Sequence, residues 1–265
     1  MPFNHENLIV YQRTLPFNVK VGVWTGQWDS RHALCDQLSR AAASMLENIA
    51  LASAAYSTMK LRGLDYAIGS SLECAACLDL AGIKQLLDMK STHTEKQELS
   101  QILRMLVGLR KCWAQSRLSV REDSAEYSTQ GEGGDKDHDK VRDNDDGENA
   151  LFHHETLDVY KVGIEAAMAI YSSDAVSRLP NSIFRRLDQL LTSMVLNIAE
   201  GNGRFSGSDQ ARFLETSHES AIKLAARLDL CVIQNLLPLD DVAGWKALLE
   251  RVSVMTSSMI LGLLR

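Results

Sequence analysis

One row of polar residues runs through an otherwise apolar stretch: Gln189, Ser193, Asn197, Glu200 and Arg204. Steps of four, four, three and four place all five on one face of a helix. Ser and Asn supply uncharged donors and acceptors, and Glu200 and Arg204 stand at the i,i+4 distance of a direct ion pair. A shorter row, Arg40, Ser44 and Asn48, begins in the same way and then gives Leu51 and Ala55 where the charged pair would fall. Such a row makes a ligand or subunit surface, a solvent face, or a satisfied polar layer that fixes bundle register. A solvent face would carry more charge than Ser and Asn provide. A subunit interface fits well, because small polar side chains let helices approach closely.

Other candidate chemistry is weaker. Cys74-x-x-Cys77 lacks the second pair that a zinc site wants and the preceding strand of a redox motif. Beside Ala75 and Ala76 these cysteines read as small core residues. His153-His154 precedes a helix and recurs as Asn4-His5, which points to capping or packing rather than metal binding. His218, beside Glu219 and Glu215, has no second ligand cluster and reads as surface. Gly201-x-Gly203 follows no strand and reads as a helix stop. Asp143 to Glu148 lacks the glycine and glutamate positions of a calcium loop. Asp240-Asp241 falls at a helix start, where the macrodipole favours carboxylates. No Ser/His/Asp set can be assembled, so no catalytic, metal or cofactor-binding residue is assigned, and the chain is not expected to be an enzyme. Arg185, Arg186, Arg204 and Arg212 are the candidate nucleic-acid contacts, with Arg104, Arg110, Lys111 and Arg117 at one end of the first half. Aromatic interleaving of the kind that stacks bases is poor there.

The elements that hold these residues occur twice. Phe3-Asn4-His5-Glu6 through Tyr11 returns as Phe152-His153-His154-Glu155 through Tyr160, and Ser44-Met45-Leu46-Glu47-Asn48-Ile49-Ala50 as Ser193-Met194-Val195-Leu196-Asn197-Ile198-Ala199. Both pairs share one offset, and Ala75 to Leu80 matches Ala225 to Leu230 at an offset larger by one. That is a tandem duplication with a single indel. In copy 2 the apolar periodicity predicts helices over about 154–171, 180–200, 209–236 and 238–263, and in copy 1 over about 5–27, 30–55, 58–88 and 94–117. Pro16 should kink the first of these. Short loops between amphipathic helices imply two antiparallel up-down-up-down four-helix bundles in an all-α chain. The units are residues 1–118, a degenerate copy, and 150–265. They are joined by an acidic linker, 119–149, too polar to fold.

Of 265 residues, 45% are apolar, enough for a core in each copy. The formal charge of −6 divides into +3 for copy 1, −7 for the linker and −2 for copy 2, so neither bundle is strongly basic. No uncharged apolar run of roughly 18 residues predicts a membrane span, and no signal-peptide pattern opens the chain. Five cysteines argue for a reducing compartment, which makes the cytoplasm the expected location.

The recurring Phe-x-x-x-x-Leu-x-Val-Tyr starts, Arg40-Ala41-x-x-Ser44-x-x-x-Asn48-Ile49-Ala50, and Ser193-Met194-x-x-Asn197-Ile198-Ala199-Glu200-Gly201-x-Gly203-Arg204 carry a resemblance. So do Arg212-Phe213-Leu214 with Ser220, and Gly69-Ser70-x-x-Glu73. Together they resemble the four-helix-bundle family of 23S rRNA-intervening-sequence proteins. That family includes the accessory variability determinant of diversity-generating retroelements. The resemblance implies a non-enzymatic, self-associating adaptor, between copies or between chains, that binds RNA or a nucleic-acid enzyme such as a reverse transcriptase and not a membrane. The alternative is a purely structural assembly module. Copy 2, with the complete polar row, is expected to be the recognising half.

Overall fold

The computed structural model describes residues 4–54, 58–122 and 151–264. Among the described residues all regular structure is helical: α1 (Ile9–Gln27), α2 (Leu34–Ala54), α3 (Thr58–Ile83), α4 (Met89–Glu122), α5 (Asp158–Tyr171), a single turn α6 (Asp174–Ser177), α7 (Asn181–Asn202), α8 (Gly207–Ile233) and α9 (Leu239–Leu263). A 3-10 turn precedes each copy, at Asn4–Asn7 and His153–Thr156. Local chemistry sets the ends. Pro180 and Pro238 stand at the N-caps of α7 and α9, and Ser206 Oγ accepts from the Asp209 N–H to cap α8. α3 and α8 end alike. Gln85 and Asn235 take φ values of 56° and 55°, and the Leu86 and Leu236 N–H groups reach back to the Ala81 and Cys231 carbonyls.

Within each copy neighbouring helices run up and down: α1 on α2, α2 on α3 and α3 on α4, then α7 on α8, α8 on α9 and α9 on α5. This is the tandem pair of bundles that the periodicity predicts. α1 carries Pro16 within one continuous helix. Two details differ. Copy 2 inserts α6 before its second long helix. α4 continues to Glu122, into the stretch expected to be linker; the rest of that stretch, 123–149, lies outside the described residues, as does Ala55.

The two copies share one core. α3 packs against α2 and α4 of its own copy and also against α7 and α5 of the other. Leu64, Ile68, Leu72, Cys74, Cys77, Leu78 and Leu80 of α3 are all fully buried. A helix covered on several sides has no solvent face to keep polar. That accounts for the stretch Met59–Ile83, which is long and apolar enough by composition to cross a membrane yet is 72% buried inside the protein.

Candidate functional site at the junction of the copies

α3 and α7 lie antiparallel, since Gly69 meets Gly203 and Arg204 at one end and Lys84 meets Asp188 at the other. About 22 Å of helix separates these two ends, at 1.5 Å per residue. The candidate site lies between them.

At the first end the backbones touch. A Cβ on Gly203 would fall 2.8 Å from Leu72 Cδ1 and 3.1 Å from Gly69 Cα. α7 stops at Gly203 as the sequence predicts, but with an ordinary φ of −77° this glycine answers to the close approach and not to a left-handed turn. Arg204 is bonded to Glu200, lies 4.5 Å over the Phe213 ring and 5.1 Å over Tyr66, and is only 8% exposed. Expected among the nucleic-acid contacts, it is instead enclosed in the joint between copies. Arg110 is similar: it donates to Asp65 at 2.6 Å and lies 3.6 Å over Phe205 of copy 2. Arg117 lies among side chains that are not described.

Between the ends is a polar cleft of about 360 Å³ that brings both rows together: Arg40, Ser44 and Asn48 from α2, Ser193, Asn197 and Glu200 from α7 with Arg204 just past its end, and Ser70 and Glu73 of α3. Gln189 stays outside it, on the surface, accepting from Arg186. The Ser and Asn groups satisfy one another by the same pattern in each copy. Asn48 donates to the Ser44 carbonyl at 2.8 Å and Ser70 to Ser44 Oγ at 2.9 Å. Asn197 donates to the Ser193 carbonyl at 2.7 Å, and the Ser193 and Ser220 hydroxyls meet at 3.0 Å. Each copy therefore carries a closed polar layer joining its second and third helices. Arg40 pairs with Asp36 outside the layer.

Glu73 and Glu200 face each other across this cleft. Burial, then the Glu200 charge, pushes the Glu73 carboxyl up to about 8 against the partial offset of Arg40 and Arg204. Burial also raises Glu200, which Arg204 partly offsets. At neutral pH the Glu73 carboxyl therefore keeps its proton.

At the far end is a buried ion pair. Lys84 Nζ lies 2.7 Å from Asp188 Oδ1, with side chains 1% and 0% exposed. Asp188 also accepts from the Ala33 N–H at 2.7 Å and the Tyr171 hydroxyl at 2.8 Å, while His32 Nδ1 stands at 3.4 Å. Burial alone would raise the Asp188 carboxyl, but His32, Lys84 and the Ala33 N–H together hold it well below the usual range. Burial pulls Lys84 down, opposed by Asp188. Because Ala33 immediately precedes α2, a carboxylate of copy 2 caps a helix of copy 1.

A second cross-link lies beside it. Lys96 bonds Asp79 within copy 1 and Glu155 of copy 2 at 2.6 Å, and the Tyr160 hydroxyl donates to Asp79 at 2.8 Å. Asp79, His154 and Glu155 have the types and proximity of a metal site. The Lys96 ammonium already supplies their cation, so the donor set does not fit a metal. His154 is fully buried and burial holds its ring well below the usual range, hence neutral. The half-buried His218 sits at the α8–α9 seam, 3.1 Å from the Ser253 carbonyl, rather than on open surface. Cys74 and Cys77 are core residues as expected.

Sequence reasoning missed Asp188, Lys84 and Lys96. The signals were an Asp on the apolar side of α7, between Leu187 and Leu191, and a Lys that recurs at 96 and 246 opposite the recurring Asp79 and Asp229.

With the site in view, the family is shown. The model of the 23S rRNA-intervening sequence protein family matches residues 6–108 and again 155–258, and the chain belongs to that family as a tandem duplication. No curated protein and no solved structure matches it.

Two predictions follow from this geometry. Asp188→Ala strands Lys84 in the interior and should cost about 3–5 kcal/mol in chemical denaturation, while Lys84→Met combined with Asp188→Leu should cost far less. Glu73, raised from an ordinary value of 4.5 to about 8, holds a proton that the unfolded chain has released. Its stabilising contribution is complete below the lower value and is lost as pH rises through the upper one. Glu73→Gln should therefore match the wild type near pH 4 and exceed it by on the order of 2 kcal/mol at pH 9, read from denaturation at each pH.

Proposed function

We propose that the chain is a non-enzymatic adaptor whose paired bundles present one rigid surface to RNA or to a nucleic-acid enzyme such as a reverse transcriptase. Family membership supports the class. The surface is suggested by one observation: Arg185 and Arg186 are exposed side by side on α7, and neither is in an ion pair among the described residues. Arg31 of copy 1 joins them, donating to Asn181 at 3.1 Å and lying 5.3 Å over the Phe184 ring, so both copies contribute to the patch. Arg212 is exposed on α8 and adds a separate cation. Arginines that fork onto phosphate oxygens give affinity without sequence preference.

The structural alternative draws support from the closed Ser–Asn layers, which already satisfy the groups that a ligand would need. A shift assay with structured RNA at stepped salt separates the two. The adaptor binds in a salt-dependent manner, and Arg185→Glu with Arg186→Glu lowers affinity about tenfold or more and reduces the log–log salt slope by roughly 2. A wild type with no salt-dependent binding removes RNA as the partner.

A further inference from the structure

The contact between the copies is directional. α3 of copy 1 packs on α7 and α5 of copy 2, whereas the equivalent pair in the repeat, α8 with α2, has no comparable packing among the described residues. One consequence is a cavity of about 740 Å³ walled by both copies, where the end of α3 and the start of α4 face α5. Its volume is in the range of small-molecule sites, which favour such junctions. One side is apolar: Ile83, Met89, Ile164 and Met168, with the rings of Tyr160 and Tyr171. Met89 and Met168 are 77% and 56% exposed, so the mouth is formed by two flexible, polarisable side chains that adapt to a ring.

The opposite side is polar. Asp79 is held by Lys96 and the Tyr160 hydroxyl, and Glu155 by Lys96 and the Leu151 N–H. The groups left over are donors. An ammonium has three N–H groups, and Lys96 directs two of them at these carboxylates, which leaves one for the cavity that it lines. Thr92 lines the cavity as well; it is 6% exposed, and its Oγ1 has no hydrogen-bond partner among the described residues, an arrangement that burial penalises. Gly82 faces this hydroxyl: a Cβ there would stand 3.3 Å from Thr92 Oγ1 and 3.9 Å from Met89 Sδ. The repeat shows what filling alone would use. Asp79 and Lys96 recur as Asp229 and Lys246, but Gly82 and Thr92 give way to Val232 and Val242, and Val242 is packed in the core of copy 2. Copy 1 thus carries a helix-weakening glycine that opens the wall and a hydroxyl without a partner. Both features work against folding, and both border the same space.

We propose that this cavity binds an uncharged, mostly apolar small molecule with a flat ring body and a carbonyl at one end. The body lies against the methionines and the tyrosine rings, and the carbonyl oxygen accepts from the Thr92 hydroxyl and the remaining Lys96 N–H. Met89, beside the hydroxyl, turns aside to admit it. A carboxylate head fits less well, because two carboxylates stand there against one ammonium, and Lys161, which borders the cavity, is itself open to water. A cationic head would have to compete with Lys96 for Asp79 and Glu155. The site goes beyond the adaptor reading and does not depend on it.

Fluorescence titration of the full chain with prodan tests this. Prodan is an uncharged dimethylaminonaphthalene bearing a ketone, and its emission responds both to apolar surroundings and to hydrogen bonding at the carbonyl. The wild type should bind it saturably at one site per chain. Thr92→Val keeps the side-chain shape and removes the hydroxyl; it should weaken prodan about threefold or more and leave the same naphthalene without its ketone unaffected. Gly82→Val combined with Thr92→Val installs the pair that copy 2 already accommodates and fills the wall. It should weaken both compounds tenfold or more, with an intact helical circular-dichroism spectrum confirming the fold. The analogue with a carboxylate in place of the ketone should bind more weakly than prodan. A wild type without saturable binding overturns the proposal, as does binding indifferent to the double variant. Equal loss of both compounds in Thr92→Val, or tighter binding of the carboxylate, overturns the carbonyl as the recognised group.

Discussion

Everything else in the molecule is arranged around the Lys84–Asp188 pair. Two opposite charges with almost no exposure carry a desolvation cost of several kcal/mol per ion, and their attraction offsets it only if the remaining bonding positions are filled. Here they are filled by groups from three elements: the Ala33 N–H at the start of α2, the Tyr171 hydroxyl of α5 together with its ring 4.8 Å from the Lys84 ammonium, and Thr192 of α7. A slip of copy 2 along α3 by one turn, about 5.4 Å, would break the contacts of Lys84 with Asp188, Thr192 and Tyr171 and that of Ala33 with Asp188 at once. Apolar packing alone tolerates such slips better, since one aliphatic side chain replaces another with modest loss. The pair thus selects one register between two bundles that hydrophobic burial would merely hold together.

That register determines what becomes of the polar row. With α7 fixed against α3, Glu200 falls opposite Glu73, and Arg204 is drawn into the gap that Gly69 leaves open. The guanidinium then has Glu200 as its counter-charge and two aromatic faces for its planes. The extra carboxylate is accommodated by keeping its proton, which costs less than a second buried negative charge. Copy 1 lacks an equivalent charged end because its second helix faces no third helix of another copy within the chain. Leu51 sits there half exposed.

The helices, the duplication and the family were all legible in the sequence, because each rests on local periodicity or on self-similarity that needs no tertiary knowledge. Gln85 and Asn235 illustrate the limit: the same turn is built in both copies from different residues, and only Asn advertises a left-handed backbone. The polar row was visible, but its role was not. Ser193 and Asn197 turn out to serve their own bundle, and Glu200 and Arg204 the joint between bundles. Which of these applies depends on what stands opposite, and periodicity along one helix carries no such information. Asp188 was harder still. A lone carboxylate among apolar residues is informative only together with Lys84, more than a hundred positions away.

The asymmetry between copies follows from the directional contact. In an assembly of identical single bundles every interface has the same two surfaces, so a glycine introduced for close approach on one side appears on every subunit. It then weakens each helix by roughly 1 kcal/mol whether or not it is buried. Fusing two copies removes that coupling. Gly69 and Gly203, Lys84 and Asp188 stand only on the two surfaces that meet within the chain, and their counterparts Glu219, Ala54, Gln234 and Ser39 are free to suit an outer face. The Asp–Lys pair and the His–Glu–Tyr segment are the exceptions, kept on both the covered and the uncovered surfaces.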